Sequence, residues 1–214
     1  VYEAIFFDFG GVIVGSPFEA FNRYEATSGL PRDFIRRVNS VNSDANAWAL
    51  LERNEISPDD FDGLFAEESL HLGHRIPGSV VLDLIHGDVR PEMIAAIDLL
   101  KAHDYALACL TNNVVSGRDD DERTRALTPI LARFDHVIES SKVGVRKPER
   151  RFYEIACERA GVEPARCVFL DDLGVNLKTA RNMGMATIKV TSGTQALTDL
   201  AAVLELPALI ELTR

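Results

Sequence analysis

Ala4-Ile5-Phe6-Phe7-Asp8-Phe9-Gly10-Gly11-Val12-Ile13-Val14 is the stretch on which the fold of this chain turns. A short apolar run delivers a carboxylate at its end and then two glycines. That is the pattern of a buried strand whose C-terminal edge presents an acid. In open α/β sheets this edge is where ligands bind. An aspartate placed there can attack phosphorus or carbon and carry a covalent intermediate. Glycines beside it let the backbone approach a bound group closely. Taken alone, the same residues also fit an ordinary turn after a core strand.

The surrounding chain decides between the two. Apolar strands recur at 4–8, 105–111, 136–139, 167–171 and 186–190. From the second onward they alternate with helical patterns at 91–103, 122–133, 148–160, 173–183 and 194–205. Unamphipathic strands alternating with helices imply a parallel sheet covered on both faces. Pro91 and Pro148 stand where helices begin, as proline does in a first turn. Residues 17–85 break the rhythm with helical segments and almost no strand signal. These include Phe18–Thr27, Ala45–Arg53 and the stretch opening Ser57-Pro58-Asp59-Asp60-Phe61. Ser57 reads as an N-cap, with proline at N1 and acids in the first turn. Gly15-Ser16-Pro17 and His86-Gly87-Asp88-Val89-Arg90-Pro91 flank the block as hinges. The expectation is a Rossmann-like α/β core, 1–14 and 91–214, with a helical insertion at 15–90 above the acid.

Composition narrows the partners. A chain of 214 residues forms one large domain, or a core with an insertion. Its net charge of −10 argues against nucleic acid and against an anionic membrane surface. A small anionic substrate stays compatible, because one metal ion and one lysine reverse the local field. No apolar run approaches the roughly 20 residues that cross a bilayer, and no basic leader precedes the first apolar run. Cys109, Cys157 and Cys167 are scattered and form no C-x-x-C pair, which reads as reduced thiols in a cytoplasmic protein. No coiled-coil pattern fixes an oligomeric state.

Three more strand ends carry polar groups: Leu110-Thr111-Asn112-Asn113, the segment Glu139 to Pro148 that contains Lys147, and Phe169-Leu170-Asp171-Asp172-Leu173-Gly174. A parallel sheet would bring Asp8, Thr111, Lys147 and Asp171/Asp172 to one edge. Carboxylates with backbone oxygens make the hard oxygen site that Mg²⁺ prefers. A lysine and a hydroxyl can hold phosphate oxygens as charge develops in transfer.

With these residues in order, the chain resembles the haloacid dehalogenase superfamily of hydrolases, with an α-helical cap inserted after the first strand. The look is that of the phosphatase-like domain of soluble epoxide hydrolase and of the related domains fused to some acyl-CoA dehydrogenases. The residues that carry it are Phe7-Asp8-Phe9-Gly10-Gly11-Val12, Val143-Gly144-Val145-Arg146-Lys147-Pro148-Glu149, Val168 to Leu177, and Ala180 to Met185. The resemblance implies a Mg²⁺-dependent phosphatase acting on a small phosphorylated compound. Asp8 would be nucleophile and metal ligand. Thr111 and Asn112, with Gly10 and Gly11, would hold the transferring group, and Lys147 would neutralise nucleophile and phosphate. Asp171 and Asp172 would complete the metal site with the backbone carbonyl of Gly10.

One position departs from the family pattern. Phosphatases of the superfamily usually carry a second aspartate two residues after the nucleophile, which protonates the leaving group. Here it is Gly10. A positioned proton transfer contributes ~10²–10⁴-fold, so alkyl phosphates should turn over slowly. His71, His74 and Asp119 to Asp121 are the candidate substitutes, although exposed polar residues more often simply face water. Two rival readings follow from the gap. One is a 2-haloacid dehalogenase, whose displacement of halide needs neither metal nor the second acid. The other is a regulatory domain that binds phosphate without cleaving it. A receiver domain is rejected, because there the paired acids stand near the first strand. Trp48 reads as a core residue of the insertion, Arg146 as a loop anchor, Cys109 as a buried apolar residue, and His103 and His136 as non-ligands.

Overall fold

Five short strands form the centre: β1 (Ala4–Phe7), β2 (Ala106–Thr111), β3 (His136–Glu139), β4 (Cys167–Asp171) and β5 (Ala186–Lys189). The computed structural model describes residues 1–85, 87–113 and 122–213, and only the backbone of 122–126. All pairings are parallel, in the order β3-β2-β1-β4-β5. The chain therefore runs outward from β1 to β3 and then returns to the other side of β1 with β4. The strand order reverses between β1 and β4, which is where open α/β sheets leave a crevice at their carboxyl edge. Phe7 stands level with Cys109 on one side and Leu170 on the other. Asp8 and Asp171 thus reach that edge side by side.

The strands are buried on both faces, and alternate residues feed two separate layers. Ile5, Phe7, Leu107, Cys109, Val168 and Leu170 pack against one set of helices. These include α6 (Pro91–Ala102), which follows five helices of the insertion, and α11 (Gly193–Leu204). Ala4, Phe6, Ala108, Leu110 and Phe169 face the other set, with Phe152 and Tyr153 of α9 (Arg150–Ala160) and Leu177 of α10 (Gly174–Asn182). The core also holds α7 (Glu122–Leu131), α8 (Ser140–Val143) and α12 (Ala208–Glu211). The result is a Rossmann-like three-layer core.

Between β1 and α6 lies the helical cap: α1 (Phe18–Thr27), α2 (Phe34–Ser40), α3 (Ala47–Glu52), α4 (Pro58–His71) and α5 (Gly78–Leu84). It buries its own apolar cluster around Phe21, Phe34, Phe61 and Phe65. Trp48 is half-buried against it, edge-on to Phe61 with ring centroids 5.6 Å apart. Helix α4 opens on a reciprocal cap: Asp60 N–H donates to Ser57 Oγ at 3.1 Å, and Ser57 N–H donates to Asp60 Oδ2 at 3.2 Å. Such a cap is worth about 1 kcal/mol.

The two crossings between core and cap touch each other. Gly15 N–H donates to Asp88 O and Arg90 N–H to Ile13 O, each at 2.9 Å. A side chain on Gly87 would overlap the backbone of Gly15.

Helix α9 differs from the expectation. It starts at Arg150, and Pro148 lies outside it, joined to Lys147 through a cis peptide. No described helix is long and apolar enough to cross a membrane. The three cysteines are buried and free.

Candidate active site

Asp8 is the first residue beyond β1, and its N–H is tied back to Leu170 O of β4 at 2.8 Å. This bond extends the ladder by one rung and fixes the direction of the side chain. Asp171 closes β4, and Asp172 follows it. Lys147 comes from the loop between α8 and α9 and is almost wholly buried. Its Nζ stands 2.7 Å from Asp8 Oδ1 and 2.9 Å from Asp171 Oδ2. The ring of Phe169 lies 5.6 Å from the same ammonium, close enough for a cation–π attraction.

Beneath this contact the acceptors are filled. Asp171 Oδ1 accepts from Leu173 N–H at 2.7 Å and from Asn176 Nδ2 at 3.1 Å. Its Oδ2 takes Asn176 Nδ2 at 3.0 Å as well as Lys147. Tyr153, on the neighbouring helix, donates its hydroxyl to Asn176 O at 2.9 Å. A buried carboxylate with this many donors is held in one orientation. Asp8 is less committed. Its Oδ1 also accepts from Phe9 N–H at 2.6 Å, while Oδ2 takes no hydrogen bond among the described residues.

Gly11 and Gly10 serve different ends. Gly11 has φ +75°, and a Cβ there would overlap the Asp172 carboxylate. Only glycine permits both the left-handed turn and the close approach. Gly10 has neither constraint, since a Cβ at that position would meet nothing within 4 Å. Ser16 Oγ reaches Asp172 Oδ2 at 3.4 Å, so the entry to the cap also touches the acid cluster.

Electrostatically the site is short of positive charge. Burial works against the Lys147 ammonium, but Asp171 and Asp8 outweigh it and push its pKa up, so the lysine stays charged. Burial raises Asp8 well above the usual carboxylate range; Lys147 opposes this, and Asp171 and Asp172 add to it. Asp172 is pushed up to about 6, by burial first and then by Asp171. Three acids thus share one cation. One carboxylate oxygen from each of Asp8, Asp171 and Asp172 lies within 4.8 Å of the others. An all-oxygen, net-negative cluster of this size fits a hard divalent cation.

The sequence candidates divide. Asp8, Lys147, Asp171 and Asp172 converge. Thr111 ends β2 beside them, half-buried, and its hydroxyl has no hydrogen bond among the described residues. The side-chain amide of Asn112 points elsewhere: Oδ1 accepts from Lys147 N–H at 2.8 Å, and Nδ2 donates to Lys147 O at 2.9 Å. It thereby clamps the backbone of the lysine. Arg146 anchors its loop to the cap, with Nε 2.5 Å from Glu52 Oε2. His71 and His74 contact cap residues, namely Glu67 O and the ring of Phe34. Asp119 to Asp121 fall outside the described residues. Among the described residues His103 bonds Leu99 O. Cys109 is buried in β2, and burial raises its thiol pKa.

Sequence reasoning missed Asn176, Tyr153 and Glu52. Asn176 lies five residues after Asp171, in the first turn of α10 and within the Val168 to Leu177 stretch, so its nearness to the acid was available from the sequence. The core partners of Glu52, Asn112 and Arg146, are 60 and 94 residues away in sequence, and no local pattern marks them.

Comparison with known proteins agrees with the geometry. Residues 2–184 match the family model of haloacid dehalogenase-like hydrolases. The chain is 31% identical over 212 residues to mouse (Mus musculus) acyl-CoA dehydrogenase family member 10, covering 96% of this chain and 19% of that protein. It is 31% identical over 210 residues to mouse bifunctional epoxide hydrolase 2, covering 92% and 38%. The chain therefore spans well under half the length of either relative. The structure of a predicted HAD-like family hydrolase from Porphyromonas gingivalis superposes with a TM-score of 0.69 at 24% identity, covering 95% of this chain and 98% of that one. A parallel sheet with a cap inserted after its first strand, an acid cluster at the carboxyl edge and the family match agree: this chain belongs to the haloacid dehalogenase-like hydrolases, and it is an enzyme of that class.

Proposed function

We propose that the chain is a Mg²⁺-dependent phosphohydrolase that removes phosphate from a small compound through an aspartyl-phosphate on Asp8. The observation that carries this reading is the Asp8 carboxylate, with one oxygen held by a buried ammonium at 2.7 Å and the other left uncommitted. The uncommitted Oδ2 attacks phosphorus, and the bond to the leaving oxygen breaks. Lys147 stays on Oδ1 and offsets negative charge as the acyl phosphate forms. The Thr111 hydroxyl donates to a phosphoryl oxygen, and the N–H groups of the turn at Gly10 and Gly11 serve the same group. Water then attacks phosphorus and frees Asp8 and phosphate. Asp8, Asp172 and the Gly10 carbonyl would hold the metal in this reading, while Asp171, whose two carboxylate oxygens are taken from the protein side, would mainly hold Lys147. The metal would supply the positive charge that one lysine among three acids cannot.

Gly10 sets the substrate preference. With no acid at that position, leaving groups that depart without a proton are favoured, so acyl and aryl phosphates outpace alkyl phosphates. Attack by water on the phosphoenzyme is slowed as well, and the intermediate accumulates. The three free thiols suit a cytoplasmic setting.

The test is phosphate release from aryl, acyl and alkyl phosphates, with Mg²⁺ and with chelator, beside Asp8→Asn. Metal-dependent release that vanishes in Asp8→Asn is the expected result. Mg²⁺-dependent phosphate binding without turnover would turn the reading to a regulatory domain. Chloride release from a 2-chloro acid without metal would turn it to a dehalogenase.

A further inference from the structure

The cap reaches the catalytic lysine through one buried carboxylate. Glu52 closes α3, is 5% exposed, and holds partners from three directions. Its Oε1 accepts from Trp48 Nε1 at 2.9 Å, within its own helix. Its Oε2 meets Arg146 Nε at 2.5 Å and accepts from Asn112 Nδ2 at 3.2 Å, both from the core. The core partners share one feature. Arg146 immediately precedes Lys147 in the chain, and Asn112 makes a two-point clamp on the Lys147 backbone. Further cap contacts converge on the same short segment. Arg146 Nη1 donates to Ser43 O at 3.0 Å, and Arg53 Nη1 lies 3.7 Å from Glu149 Oε1. Among the described residues no other hydrogen bond reaches the Lys147 backbone, and Pro148 has no N–H with which to add one.

We propose that Glu52 is a positioning residue for the reaction: seated in the core, it fixes Asn112 and Arg146 and so holds Lys147 at the distance from Asp8 that transfer requires. The cap is then more than a cover. Lifting α3 from the core would withdraw the group that orients the Asn112 amide, leaving the lysine clamp free to turn. A full-strength ammonium would be presented to Asp8 only when the cap is seated. Misplacing a reacting group by about 1 Å costs on the order of 10²-fold, which sets the size of the effect. The catalytic consequence rests on the phosphohydrolase reading, whereas the clamp itself does not.

The experiment therefore reads the two separately, with Glu52→Gln, Glu52→Ala and Arg146→Lys. Hydrogen exchange of the Lys147 amide, which donates to Asn112 Oδ1, reports the clamp without any substrate. Steady-state hydrolysis of an aryl phosphate with Mg²⁺ reports the chemistry. Glu52→Gln keeps the side-chain volume, so it remains interpretable if Glu52→Ala does not fold. Expected for Glu52→Gln is at least ~10-fold faster exchange at Lys147 with α4 amides unchanged, and a fall of ~10–10² in kcat with KM within about threefold. Arg146→Lys should lie between wild type and Glu52→Gln on both scales. Unchanged exchange at Lys147 overturns the proposal, whatever happens to kcat. Exchange that rises equally through the whole cap overturns it too, because Glu52 would then be holding the cap together rather than the lysine. Should wild type release no phosphate from any substrate, the hydrolase reading fails while the exchange result still decides the clamp.

Discussion

The floor of the site and the turn above it are built to opposite standards. On the floor, Lys147, Asp171, Asn176 and Tyr153 form a buried chain in which every oxygen of Asp171 is occupied. In the turn, Gly10 offers no side chain at all, although nothing within 4 Å would obstruct one. The adjacent Gly11 shows that this is not a backbone demand spreading along the turn, because only Gly11 has a positive φ and a neighbour in its way. On the phosphohydrolase reading proposed above, charge neutralisation is preorganised, and proton transfer is left to the substrate or to a group elsewhere.

Breaking the floor should have the largest effect. Lys147→Met leaves Asp8 and Asp171 buried with no counter-charge, and removing one partner of a buried ion pair costs about 3–5 kcal/mol. Denaturant unfolding should show that loss at neutral pH, with phosphate release falling to the level of Asp8→Asn. The pH dependence has a definite sign. Burial already holds Asp8 well above its ordinary pKa with Lys147 present, and removing the ammonium raises it further. A folded state that binds more protons than the unfolded state gains stability as pH falls. The deficit of Lys147→Met should therefore be smaller at acidic pH, where Asp8 is protonated in both folded proteins, than at alkaline pH. A constant deficit would mean that packing, not charge, makes the floor rigid.

Filling the turn tests the other half. Gly10→Asp places a carboxyl where the backbone tolerates one, so stability should change little. Alkyl-phosphate turnover should rise by ~10²–10⁴-fold, the usual worth of a positioned acid, and the aryl-to-alkyl ratio should fall by a similar factor. No gain in a folded, Mg²⁺-binding Gly10→Asp protein would mean that the missing acid is not what limits this site.

The comparison also explains what could be read from sequence. The strands were legible because each is a continuous apolar run, and their acids fall at their ends. Parallel pairing then aligns those ends without further information, so the placement of Asp8 beside Asp171 follows from the pattern. The clamp on Lys147 was not legible. Asn112 stands where the family pattern suggests a phosphate ligand, and only the fold shows its amide turned onto the backbone of residue 147. Glu52 is one acid on a short helix, and its meaning depends on contacts with the far side of a domain boundary. Pro148 misled for a local reason: a proline before a helix reads as its first residue, yet here the loop carrying Lys147 occupies that position and the helix waits until Arg150.

Gly11→Ala and Gly10→Ala form a matched pair that sharpens the contrast in the turn. Alanine at 11 must adopt φ +75° and displace Asp172. Strain of about 1–3 kcal/mol is expected, together with weaker Mg²⁺ binding by calorimetry. Alanine at 10 should change either reading little, within roughly ±0.5 kcal/mol in stability. Equal effects from the two would erase the distinction between a glycine kept for space and one that is free to change.

Tyr153→Phe probes how deep the rigidity of the floor extends. The hydroxyl makes one buried bond, to Asn176 O at 2.9 Å, and touches no reacting group. Asn176 O lies early in α10, where the helix supplies it with a second donor, so its loss leaves no bare acceptor. The cost should be about 1 kcal/mol, that of an ordinary hydrogen bond, or roughly 2–4 °C in Tm for a chain of this size. If the floor is overdetermined, kcat stays within about twofold of wild type, because Leu173 N–H, Lys147 and the Asn176 amide still hold Asp171. A tenfold fall in kcat at so small a stability cost would show the opposite. The orientation of Asp171 would then depend on a hydroxyl two contacts removed, and the floor would be as conditional as the turn above it.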